Sequence, residues 1–409
     1  MTMRLWPIVA FAVMMTSTST LTASTQETSD LDFAFPDASP RMRARELGIV
    51  IGHMKPGKWN AITDVPGVKV GHSTVLFGSG PLEVGKGPAR TGVTAVLPHG
   101  DFVWRENVPA AAWVLNGAGA MTGVHWVNEK GALETPILLT NSWSVGTVFD
   151  DFLSWGLSVD KDFYYDGCLP VVAETWDGFL NDIRGRHVLR EHVFEALNGA
   201  TSGPVTEGAV GGGTGMMAYD FKGGIGTASR MIEVADPSYT VGVLVQANFG
   251  SRHLLRIDGV PVGREVTELM PERHEPGGSF LAVLATDAPL DHRQLRRLAK
   301  RIALGLARTG STAHHGSGDL VIAFSNGYRI TEPGKDTRPV LKSGLINDLF
   351  EATTEATEEA IINSLCMAKT TVGRDGNTAQ AIPLDRLQEI MKKYGRLHGA
   401  ESAIQQKIK

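Results

Sequence analysis

Five short apolar runs, each ended by glycine, proline or a polar residue, do most to limit what this chain can fold into. They are GVTAVLP (92–98), TPILLTN (135–141), YTVGVLVQAN (239–248), SFLAVLATD (279–287) and DLVIAFSN (319–326). Each reads as a strand, and their near-continuous apolar character demands cover on both faces. Helical periodicity supplies the cover. Residues 290–309 place Leu295, Leu298, Ala299, Ile302 and Leu306 at spacings of three and four, with Asp287 or Asp291 available as the cap. Residues 341–367 form a second helix candidate, and 384–394, after Pro383, a third. Strands and helices do not alternate regularly. The pattern therefore predicts an α/β (α+β) chain in which two packed sheets lie between helical layers, an αββα sandwich, and no doubly wound nucleotide fold.

Composition excludes some functions. With 39 basic and 44 acidic side chains, the formal net charge of -5 offers nothing for nucleic acid. Cys168 and Cys366 have no CxxC or Cys/His spacing, so a structural zinc site is not expected, and the disulfide question stays open. GGGTG (211–215) lacks the lysine of a phosphate loop. The twelve histidines include the adjacent pair His314 and His315 but form no HExxH motif, so the chain carries no metal or cofactor signature. Arg4, an apolar run over 5–15 and LTA-STQ around Ala23 read as an export signal over 1–23, with an uncleaved anchor as the alternative. The expectation is an exported, periplasmic or secreted protein with no stable membrane anchor. A polar spacer (24–40) would precede the body, and a disordered tail (398–409) would follow it.

The junction VLVQANFGSR ends a strong strand in Gly250-Ser251. Most such pairs are turns. The pair also suits self-cleavage, since a serine hydroxyl can attack the preceding carbonyl and convert the amide to an ester. Hydrolysis would then free an α-amine able to act as base for its own hydroxyl.

Several stretches, in order along the chain, resemble the self-processing aminopeptidases of peptidase family S58, which include L-aminopeptidase/D-Ala-esterase and the β-peptidyl aminopeptidases. They are RARELGI (43–49), NAITDVPGVKVGHSTV (60–75), GPARTGVTAVLPHG (87–100), LETPILLTN (133–141), GAVGGGTGM (208–216), VLVQANFGSR (243–252), ATDAPL (285–290) and GSGDLVIAFS (316–325). The resemblance implies an N-terminal-nucleophile-like fold, an α subunit over 41–250 and a β subunit over 251–397. It also implies autocleavage between Gly250 and Ser251 and a cofactor-independent serine aminopeptidase or amidase releasing L-, D- or β-aminoacyl groups.

Site residues follow from the same resemblance. Ser251 would be the nucleophile, with Ser317 and Asp319 beside its amine; Thr286 with Asp287 is the competing pair. Glu134 would bind the substrate ammonium. Ala209 stands where some members have an oxyanion asparagine, leaving a backbone N–H or Asn248 as donor. Trp143 and Phe149 are core residues or pocket walls. The partners implied are a small peptide or amide substrate and further copies of the chain, a tetramer of αβ units. Two rival readings are a self-cleaving acyltransferase and an uncut, non-catalytic secreted binding protein.

Overall fold

The computed structural model describes residues 34–35, 40–164, 167–233, 236–272, 278–331, 341 and 344–398. The expected leader, nearly all of the spacer, and the tail beyond His398 lie outside these residues.

Strands β1 (Lys69–Phe77), β2 (Ala89–Leu97), β5 (Ile137–Asn141) and β6 (Val171–Thr175) form a four-stranded sheet in the order β1-β2-β5-β6. A six-stranded sheet has the order β4-β3-β12-β11-β10-β9. It contains β3 (Val108–Gly117), β4 (Ala132–Leu133), β9 (Gly224–Ile232), β10 (Tyr239–Asn248), β11 (Ser279–Thr286) and β12 (Gly318–Ser325). In chain order the separate hairpin β7 (Met217–Ala218) and β8 (Phe221–Lys222) precedes β9. Helices α1 (Val124–Lys130), α2 (Val145–Val159), α3 (Arg190–Asn198) and the short α4 (Val262–Glu265) are followed by α5 (His292–Arg308), α6 (Ile346–Cys366) and α7 (Leu384–Lys393).

Alternate residues of the same strands build two cores. Leu244, Leu281, Val283, Leu320 and Ile322 face Ile137, Leu139 and Ala173 across the gap between the sheets. Val243, Val245, Phe280, Ala282 and Val321 face α5 and α6 on the outside. Helices α2 and α3 cover the smaller sheet through Phe152, Trp155, Val193 and Leu197. The four layers follow from strands that are apolar on both faces, as expected.

Strand β10 begins and ends where its sequence pattern does, and α5 starts at a capping box. Asp291 accepts from Gln294 N at 2.7 Å, and Gln294 returns a bond to Asp291 N at 3.0 Å. The acidic stripe on α6 is explained by Arg230 of β9. It is fully buried and donates to Glu355 at 2.9 Å and Glu359 at 2.7 Å, tying helix to sheet. Cys168 and Cys366 are both free thiols, which closes the disulfide question.

Candidate active site

The heads of the two central strands lie side by side. In the parallel β11–β12 pair Ser279 stands opposite Gly318, and in the antiparallel β10–β11 pair it stands opposite Asn248. Ser279 is buried, and its Oγ accepts a hydrogen bond from Gly318 N at 3.2 Å. Ser317 and Asp319 flank that glycine. Ser317 Oγ donates to Asp319 Oδ1 at 2.7 Å, and Asp319 Oδ2 is a buried acceptor with no partner among the described residues. Burial pushes the Asp319 carboxyl above the usual carboxylate range, while the Ser317 hydroxyl and the charge of His314 pull the other way.

Ser251 is placed differently. It lies past the end of β10, at the start of a 3-10 turn over Arg252–Leu254, and its side chain makes no capping bond. Gly250 before it has φ +87°, and a Cβ there would lie 2.6 Å from the Tyr219 ring. The glycine is accounted for by a turn packed on an aromatic ring. The serine brought against the Ser317–Asp319 pair is thus Ser279, with Gly278 before it. GGS (277–279) leads into the run SFLAVLATD, and its one local mark is a glycine-serine pair at the first position of a buried strand.

Asn248 is held at both ends. Its Oδ1 accepts from Met217 N at 2.8 Å and its Nδ2 donates to Trp176 O at 2.8 Å, which uses one of its two amide hydrogens, and as cross-strand partners Asn248 and Ser279 project from the same face of the sheet. A cleft of about 10 Å³, room for one water, lies beside the Gly278 backbone, between Phe249, Gly250, Ser311, His314 and Ser317.

The competing pair, Thr286 and Asp287, sits at the far end of β11. Thr286 Oγ1 donates to Thr240 O and Asp287 accepts from Thr240 N, so both serve the β10–β11 junction. Glu134 is also remote. It follows β4, whose Leu133 pairs with Val108 at one end of β3, whereas Gly318 pairs with Gly117 at the other end. Nine strand steps put these about 30 Å apart. The Glu134 carboxylate is taken up by Lys130 and by Trp126 Nε1.

A different glutamate reaches the site. Glu174, at the end of β6, is buried, accepts from Ala120 N at 2.9 Å and is hydrogen-bonded by Ser142 Oγ. A Cβ added at Gly119 would lie 3.3 Å from Glu174 Oε1 and 3.2 Å from Gly318 Cα, so the three share one small space. Next to it a cavity of about 150 Å³ is lined by Trp113, Val114, Gly119, Met121, Val124 and Leu320. Trp143 is half exposed and is not a core residue. Phe149 packs against the α2–α3 core.

One metal-type group occurs among the described residues, at His53, Glu351 and Glu355. Glu355 there already accepts from His53 N and from Arg230, so its charge is met by the protein.

The model of peptidase family S58 matches residues 60–379. The β-peptidyl aminopeptidase of Sphingosinicella microcystinivorans is 48% identical over 381 residues, spanning 88% of this chain and 94% of that protein. The L-aminopeptidase D-Ala-esterase/amidase of Ochrobactrum anthropi, described as a variant of the Ntn-hydrolase fold, superposes with TM-score 0.81 at 39% identity. It covers 88% of this chain and all of that one. The PH0078 protein of Pyrococcus horikoshii superposes at 0.82 with 51% identity, over 87% of this chain and all of its own. The fold, the strand-head site and these likenesses agree: the chain belongs to peptidase family S58, and it is a hydrolase of the aminopeptidase type.

Proposed function

We propose that the chain cuts itself between Gly278 and Ser279, in place of the junction expected at Gly250-Ser251, and works as a serine aminopeptidase through the freed Ser279. The observation that carries this reading is the placement of Ser279 at the head of a central strand, across from Asn248 and beside Ser317–Gly318–Asp319. In the precursor, Ser279 Oγ adds to the Gly278 carbonyl, the C–N bond breaks, and water opens the resulting ester. The new α-amine has a model-peptide pKa of about 7.7–8.0. It takes the hydroxyl proton when Oγ attacks a substrate carbonyl, then passes it to the leaving amine. Water releases the acid from the acyl-enzyme. Asp319 Oδ2 accepts from the amine, and the remaining Asn248 N–H faces the oxyanion.

Glu174 replaces Glu134 as the carboxylate for the substrate ammonium. The neighbouring apolar cavity takes the side chain of the released residue. Its 150 Å³ matches a cavity able to hold a benzene ring. The relatives' names extend the substrate class to β-aminoacyl as well as α-aminoacyl peptides, amides and esters. The export signal, and assembly of αβ units into a tetramer, belong to the same proposal. The test is intact mass and N-terminal sequencing of the active protein. A chain beginning at Ser279 supports the reading, and one beginning at Ser251, or an active uncut chain, refutes it.

A further inference from the structure

Lys222 is fully buried, and its Nζ spends its donors on three backbone carbonyls. It lies 3.1 Å from Gly213 O, 2.7 Å from Met216 O and 2.7 Å from Gly223 O. A buried ammonium facing only dipoles costs several kcal/mol in general, and a tie between loops could be made by a neutral group. Burial alone lowers its pKa to about 7, with no carboxylate contributing. What the charge does is indicated by the peptide it touches. The Met216 carbonyl belongs to the same peptide unit as Met217 N, and that N–H donates to Asn248 Oδ1 at 2.8 Å. A cation on the carbonyl polarises the peptide and strengthens its N–H as a donor. The bond fixes which way the Asn248 amide points, with Nδ2 donating to Trp176 O from the sheet face that Ser279 shares.

We infer that Lys222 is a positioning residue for the oxyanion donor, acting through the Met216–Met217 peptide to orient and polarise the Asn248 side chain. The inference rests on the proposed role of Asn248. The β7–β8 hairpin is built for the connection. Met217 pairs with Lys222 across a two-residue turn, Tyr219-Asp220, in which both residues have positive φ. Tyr219 N then donates to Phe249 O at 2.7 Å, which locks the hairpin to the residue after Asn248.

The test is a double-mutant cycle on amide turnover with Lys222→Gln, Asn248→Ala and the pair, using protein matured before assay. Lys222→Gln should lower kcat about tenfold or more with KM within about twofold, as expected when an interaction made in the transition state is lost. In the Asn248→Ala background it should change kcat less than twofold. Lys222→Arg, which keeps charge and donors, should recover most of the loss. Equal effects of Lys222→Gln in both backgrounds, or KM rising with kcat unchanged, overturn the inference. An Asn248→Ala variant with normal kcat overturns the oxyanion reading beneath it.

If Lys222→Gln does not fold, the wild-type enzyme labelled with 15N at lysine and asparagine decides. A peptide aldehyde that adds to Ser279 should shift the Lys222 ammonium and Asn248 amide signals together. A moved Asn248 signal with a stationary Lys222 signal refutes the coupling. Two stationary signals on a formed adduct refute the role of Asn248.

Discussion

Replacing each candidate serine by alanine separates the two cleavage sites, because the structure assigns them opposite consequences. Ser279→Ala removes the acceptor of the buried Gly318 N–H, a bond of 3.2 Å. Leaving that group unpaired costs about 1–2 kcal/mol. In a chain of this size that lowers the melting temperature by about 2–4 °C or less per kcal/mol, so the variant should fold. Its chemistry should vanish: the precursor stays as one chain, and amide turnover falls by something on the order of 10⁶. Ser251→Ala removes a buried hydroxyl that makes no capping bond, so stability should move by about 1 kcal/mol or less. That variant should cleave and turn over substrate normally. Gly278→Ala adds a third arm. Its Cβ would fall 2.2 Å from Asn248 O and 2.6 Å from Phe249 Cα, so the scissile peptide must shift and maturation should slow. Denaturing gels over a time course, intact mass and turnover of an aminoacyl amide read all three. Cleavage lost in Ser251→Ala but retained at the same bond in Ser279→Ala would refute the reasoning.

Three other outcomes are expected. Glu174→Gln should raise KM for free-amine substrates tenfold or more while maturation continues, and Glu134→Gln should leave KM within twofold; the reverse would restore Glu134 as the anchor. Val124→Trp fills the 150 Å³ cavity and should lower kcat/KM for phenylalanyl or leucyl amides by about 10–100-fold relative to alanyl or β-alanyl amides. Equal loss on all of them would remove the cavity from substrate recognition. Burial lowers the His72 pKa from 6.5 to about 4, against the Thr206 backbone carbonyl, which favours the protonated ring. Between those values the unfolded chain binds the extra proton, so stability is full above pH 6.5 and falls as pH drops toward 4. The contribution is up to about 3 kcal/mol. Denaturant unfolding of His72→Gln should show a shallower loss over that window, and an unchanged slope would show that His72 does not carry it.

Much of the architecture was legible because it rests on local pattern. The strands over 239–248 and 279–287, the helix over 290–309 with its Asp291 cap, and the long helix before Cys366 all lie where apolar periodicity and capping chemistry put them. Helix α2 was not legible. VGTVFDDFLSWGLSV opens with β-branched residues and contains two glycines, and it is held by packing of Phe152 and Trp155. The site divides along the same line. Asn248, Ser317 and Asp319 sit at strand ends inside distinctive motifs. Ser279 and Glu174 are singled out by register and sheet order: the glycine-serine pair in GGSF has a twin at 250–251, and nothing local in GGSF or VVAETW records that β11 lies between β10 and β12. Glu134 was persuasive in sequence because a lone carboxylate before a buried strand carries no sign of its partners, Lys130 and Trp126.

The two glycine-serine pairs also differ in what a cut would leave behind. Arg252 is buried, and its guanidinium donates to the carbonyls of Tyr219, Asp220, Val266, Glu268 and Leu269 at 2.8–3.2 Å. Its backbone N donates to Asp220. A terminus made at Ser251 would begin one residue from this clamp, in a turn packed on Tyr219 and past the last ladder position of β10, Asn248. A terminus made at Ser279 begins a strand whose ladders to β10 and β12 survive the cut, so nucleophile and oxyanion donor keep their precursor geometry. The clamp at Arg252 then holds the segment after β10 against the β7–β8 turn, so it stays docked as the end of the first chain. Cleavage at Gly278 would thus free an amine without loosening the sheet that positions it, which is what a nucleophile serving as its own base requires.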